Sequence, residues 1–134
     1  MAASELPPPK PGKALPEREV VMLVLRDTEG RVLLQRRPST GVWASLWSLP
    51  EHAGIDAAWP WFQRHAHGDL GDALEGDTVR HGFSHYRLRI VPLHLGDVRP
   101  RDAVGDNPDL RWATRADLAG IGLPAPVRRL LEKD

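Results

Sequence analysis

The stretch Arg80-His81-Gly82-Phe83-Ser84-His85-Tyr86-Arg87-Leu88-Arg89 gathers three arginines, two histidines, two aromatic rings and a serine around one glycine. Arginine offers only hydrogen-bond donors, whereas a serine hydroxyl donates, accepts and rotates to suit its partner. Two readings stand. One is an exposed polar hairpin. The other is a small tip that touches a nucleic-acid base while neighbouring cations meet phosphates.

Other chemistry is thinner. The histidines are His52, His65, His67, His81, His85 and His94. His65-x-His67 has a chelate-like spacing, but no HExxH pattern accompanies it, and residues two apart on a helix point in different directions. Exposed helix-end histidines are the expectation, and no metal site. Neither GxGxxG nor GxxxxGK[ST] occurs, so Rossmann and P-loop phosphate sites are not indicated. No serine sits in a GxSxG elbow. Five tryptophans are present, with Trp43, Trp47 and Trp59 close together. They read either as core packing or as a platform on which bases stack.

These residues need elements to hold them. Residues 20–25 form an unbroken apolar run, and residues 32–34 follow the turn Asp27-Thr28-Glu29-Gly30, which reads as a β-hairpin. The first run lacks alternation, so it is expected to be covered on both faces. Residues 55–67 read as a helix with Asp56 as N-cap and Trp59, Phe62 and Ala66 on one side; Pro60 must start or kink it. Residues 78–83 and 86–95 read as a second strand pair, with Tyr86, Leu88 and Ile90 alternating against Arg87 and Arg89. Strand alternation places those two arginines on the side of His85. Residues 110–113 make a short strand. Thr114 and Asp117 have capping-box spacing. A last helix starts around residues 124–126 and buries Val127, Leu130 and Leu131. The class is α+β.

Composition bounds the rest. A chain of 134 residues makes one domain. Eighteen basic residues balance eighteen acidic ones, so any nucleic-acid role rests on a local patch. No run approaches the ~18 apolar residues of a spanning helix, and no apolar segment of a secretory signal opens the chain. With no cysteine, disulfides, thiolate zinc sites and iron–sulfur ligation are excluded within this chain. Five of the thirteen prolines fall in the first sixteen residues. Residues 1–18 therefore read as a stiff linker and residues 19–134 as the folded unit.

Three blocks, VLLQRRPSTGVWASLWSLPE (residues 32–51), HGFSHYRL (residues 81–88) and GLPAPVRRLL (residues 122–131), together resemble the C-terminal domain of MutY-type A/G-specific adenine DNA glycosylases. They occur in that family's order and at similar spacing. The resemblance implies a Nudix-like α+β fold, a mixed sheet sandwiched between helices. It implies a non-catalytic lesion-recognition domain of base excision repair, reading 8-oxoguanine opposite adenine in double-stranded DNA. A separate N-terminal glycosylase domain, bearing the acid/base residues and a 4Fe-4S cluster, would excise the adenine and be this domain's partner. No cofactor and no catalytic residue are then expected in this chain, which would be a monomer in the bacterial cytoplasm, associated with the nucleoid rather than a membrane. Carried onto this sequence, Phe83, Ser84 and His85 are the lesion-base residues, with Phe83 anchoring the turn and His85 serving either the base itself or a nearby phosphate. Arg80, His81, Arg87 and Arg89 are phosphate candidates, against the alternative of a solvated strand face.

The rival expectation is an active Nudix hydrolase of oxidised nucleoside triphosphates. That chemistry needs Gx5Ex7REUxEExGU, whose carboxylates hold magnesium beside a diphosphate. Residues 51–65 contain only Glu51 and Asp56 as acids, and Trp59, Trp61 and Phe62 stand where carboxylates are wanted. A protein-docking module is a third class.

Overall fold

The valine-rich run becomes the strand at the centre of the molecule because both of its faces are apolar. In the computed structural model, which describes residues 15–101 and 107–133, Val20 to Leu25 are all buried. Val21, Leu23 and Leu25 enter one core, and Val20, Met22 and Val24 enter another on the opposite face. In chain order the elements are β1 (Glu17–Leu25), β2 (Val32–Arg36), β3 (Trp47–Ser48), β4 (Glu51–His52), α1 (Ile55–His65), β5 (Ala66–His67), a 3-10 turn (Leu70–Asp72), β6 (Leu74–Glu75), β7 (Val79–Gly82), β8 (Arg87–Leu95), β9 (Arg99–Pro100), β10 (Leu110–Ala113), α2 (Arg115–Leu118) and α3 (Ala125–Glu132). Of the expected linker, residues 1–14 lie outside the described residues, and Glu17 and Arg18 already belong to β1.

β1 runs parallel to β8 from Glu17↔Arg87 to Leu25↔Leu95 and pairs antiparallel with β4. β7 and β6 lie antiparallel along β8. Together they form a mixed five-stranded sheet; β10-β2-β3 form a second, and β9-β5 a small third. α1 supplies Ala58, Trp61 and Phe62 to the first core, while α3 supplies Val127, Leu130 and Leu131 to the second. Helices thus cover the central sheet on both sides, the mixed-sheet α+β arrangement expected.

Two local expectations are corrected. The turn after β1 forms, but no hairpin follows: after the single bridge Arg26↔Val32 the strands part into different sheets. A strand has two hydrogen-bonding edges, and those of β1 are taken by β8 and β4. The turn itself is held by the buried Asp27 carboxylate, which accepts from Glu29 N–H at 2.9 Å, Arg31 N–H at 2.8 Å and Arg31 Nε at 2.7 Å. Burial pushes that carboxyl up, yet the Arg31 and Glu29 donors outweigh it and hold its pKa below the ordinary value. Second, α1 is capped by Gly54 without a side-chain bond, and Asp56 lies in its first turn, where it complements the helix dipole. The helix runs on through exposed Pro60. It buries Ala58, Trp61 and Phe62, and although the chain turns extended at Ala66, the expected Trp59, Phe62 and Ala66 all meet the first core. The capping box of α2 and the buried face of α3 are as expected.

Candidate nucleic-acid interface

β7 and β8 pair from Val79↔Ile90 to Gly82↔Arg87, which leaves residues 83–86 as the turn. Phe83 N–H donates to Tyr86 O at 2.8 Å and closes it. Ser84 and His85 stand exposed at its bend. Behind them the rings interlock: Phe83 lies 4.8 Å from Tyr86, 4.8 Å from His81 and 5.2 Å from Trp43, and Trp43 lies 5.5 Å from His81. Phe83, Tyr86 and Trp43 pack against the second core. The tip is therefore a polar bend on an aromatic base. His81, taken as a phosphate candidate, is half-buried among these rings.

The arginines lie on the other face of the strands from the aromatic cluster. Arg80 faces Arg89 across the ladder, and Arg87 lies two residues from Arg89, so strand alternation puts all three on one face. That is the face of Val91 and Leu93, opposite Tyr86, Leu88 and Ile90. Arg89 is ion-paired with Glu19 at 3.3 Å, whereas Arg80 and Arg87 are exposed.

Trp43 reaches the cluster from the loop between β2 and β3, whose backbone is unusual. Gly41, Trp43 and Ser45 have φ of 91°, 55° and 62°. A non-glycine residue in that region costs roughly 1–3 kcal/mol and persists only where its surroundings enforce it. Here Ser45 N–H donates to Pro38 O at 2.8 Å and Arg37 N–H to Leu46 O at 2.7 Å. Of the tryptophans, Trp61 is core and Trp59 packs against that core, while Trp43 and Trp47 pack against the second, Trp43 beside Phe83 and Trp47 with Arg36 over its ring at 4.9 Å.

Beside the tip opens a polar cleft of about 180 Å³ lined by Arg18, Arg37, Trp43, Glu51 and Tyr86. The Arg18 guanidinium lies 5.2 Å over the Tyr86 ring, and Arg37 pairs with Glu51 at 3.4 Å. Sequence reasoning missed both arginines. Arg18 falls within the segment read as linker, and its one signal is that it alternates in step with Val20 and Met22.

Magnesium chelation of the pyrophosphate-hydrolase kind does not fit these residues. α1 carries Asp56 alone, Glu51 is engaged by Arg37, and among the described residues no three metal-ligating side chains cluster. His65 is not the exposed histidine expected. Its ring lies 4.6 Å from Trp61, which has His52 at 5.5 Å, and both histidines are half-buried. Burial lowers the pKa of each, with the charge of Arg64 adding at His65. A depressed imidazole binds its proton more readily in the unfolded chain. Stability is then full above the ordinary value of 6.5 and declines as pH falls from there toward the folded pKa. Urea midpoints should drop between about pH 7.5 and 5.5, and less steeply in the double variant His52→Gln/His65→Gln. Equal slopes in the two proteins would refute this.

A family model described as NUDIX domain matches residues 21–133. Among solved structures, the C-terminal domain of mouse MUTYH in complex with human PCNA is similar at 19% identity, covering 85% of this chain and 84% of that one, with a TM-score of 0.67. The NUDIX domain of Shewanella oneidensis NrtR, complexed with ADP ribose, is similar at 17% identity over 92% and 89%, TM-score 0.68. A MutT NUDIX hydrolase from Burkholderia pseudomallei is similar at 20% identity over 87% and 96%, TM-score 0.64. At such identities the likeness shows the fold.

Proposed function

This chain belongs to the NUDIX domain family, and we propose that within it the chain recognises damaged DNA, reading 8-oxoguanine opposite adenine as the non-catalytic domain of an adenine glycosylase. The observation that carries this is Ser84, exposed on a bend whose aromatic base fixes its position. Guanine presents acceptors at N7 and O6 in the major groove. Oxidation at C8 turns N7 into an N–H donor, which an arginine would meet donor to donor and a serine hydroxyl can accept. The similarity to the mouse MUTYH domain and the poverty of carboxylates on α1 support the same reading. Excision of the adenine then belongs to an N-terminal glycosylase domain with its own 4Fe-4S cluster.

The test is titration of labelled duplexes with 8-oxoguanine:adenine or guanine:adenine at one site. The chain should prefer the lesion, and Ser84→Ala should reduce that preference about tenfold, the weight of one good base contact of ~1–3 kcal/mol, while affinity for the undamaged duplex stays. The hydrolase reading draws on the polar cleft and on the likeness to a MutT NUDIX hydrolase. Release of pyrophosphate from 8-oxo-dGTP with magnesium would replace our proposal by that one.

A further inference from the structure

Beneath the recognition tip, the cation left without a carboxylate on the face of the aromatic cluster comes from outside the hairpin. Arg80, Arg87 and Arg89 lie behind the sheet, whereas Arg18 of β1 lies on the side of the aromatic cluster, its guanidinium over the Tyr86 ring. Parallel pairing sets Arg18 opposite Leu88, and Arg87 N–H donates to Pro16 O at 2.9 Å, so the start of β1 and the base of the hairpin are one hydrogen-bonded unit. The acidic neighbours of Arg18 do not neutralise it. Glu17 and Glu19 alternate to the other face, where Glu19 holds Arg89. Glu51, across the cleft, is taken by Arg37. Among the described residues no carboxylate or carbonyl accepts from Arg18, and its contact with the Tyr86 ring leaves its N–H fork for another partner.

We infer that Arg18 is a phosphate ligand of the tip, taking a backbone phosphate of the strand whose base Ser84 reads. The inference rests on the recognition reading and adds to it a division of labour. Ser84 supplies discrimination, Arg18 supplies affinity common to all sequences, and Arg89 serves the fold. The two contacts sit on one hydrogen-bonded unit, because Tyr86 both closes the turn under Ser84 and carries Arg18.

Anisotropy titrations of the lesion duplex and its undamaged counterpart across a sodium chloride series test this, with circular dichroism confirming that each variant is folded. Arg18→Gln should weaken both duplexes alike by about tenfold and lower the slope of log affinity against log salt by about 0.9, the loss of one phosphate contact. Arg18→Lys should restore the slope, because it keeps the charge. Ser84→Ala should leave the slope unchanged, and so should Arg89→Gln. If Arg18→Gln keeps the wild-type slope and affinities while the wild type still prefers the lesion, this inference is overturned and the recognition reading stands. A slope lost in Arg89→Gln and kept in Arg18→Gln overturns it likewise, by placing the phosphate behind the sheet. If the wild type shows no lesion preference, the recognition reading has failed and this inference falls with it.

Discussion

Phe62→Ala should destabilise the fold by about 3–5 kcal/mol, the cost of a phenylalanine-sized cavity in a packed core. Phe62 is wholly buried where α1 meets the central sheet, in the core that holds Leu23, Leu25, Val91 and Leu93. Collapse cannot easily refill the space, since the ring also reaches the loop after β5. A Cβ added at Gly68 would sit 3.3 Å from Phe62 Cζ. Against a total of roughly 5–15 kcal/mol for a domain, this is a large fraction. Urea unfolding should show a lower midpoint with an unchanged m-value, and Phe62→Leu should lose less. A loss under about 1 kcal/mol would mean that α1 contributes little to the core. Lesion preference, measured where the variant is still folded, should persist, because Phe62 and the aromatic cluster lie on opposite faces of β8.

Trp43→Ala should remove most of the lesion preference and cost about 1–3 kcal/mol of stability, from two ring pairs at ~0.5–1.5 kcal/mol each. The ring braces both Phe83 and His81, so without it the bend carrying Ser84 loses one wall. Trp43→Gly separates the ring from its backbone. At a φ of 55° glycine is unstrained where alanine is not, so Trp43→Gly should be at least as stable as Trp43→Ala while losing the preference equally. Full discrimination retained in either variant would show that the hairpin holds the bend without this loop.

Much of this molecule is local and was therefore readable. The unbroken run of residues 20–25 announces a strand covered on both sides, and its residues divide alternately between two cores. The Thr114–Asp117 capping box, the strand pair around residues 83–86 and the apolar face of α3 each depend on contacts a few residues apart. The shortage of acids around α1 is likewise a matter of residue identity alone, as is the balance of charge.

Other features depend on which elements meet. That β1 and β2 part after their turn follows from β8 occupying an edge of β1, a partner more than sixty positions along the chain. His65 reads as an exposed helix-end histidine, but its ring packs against Trp61, which also has His52 of β4 beside it. The candidate site divides along the same line. Ser84 at an exposed bend was legible, because turn chemistry is local. The placing of the Arg80, Arg87 and Arg89 row behind the sheet, the capture of Arg89 by Glu19, the bracing of the tip by Trp43 and the arrival of Arg18 from the supposed linker were not. Periods of 2.0 and 3.6 say which side chains share a face of one element. Which way that face looks, and whose ring or charge lies against it, is decided by the burial of apolar surface between elements far apart in sequence.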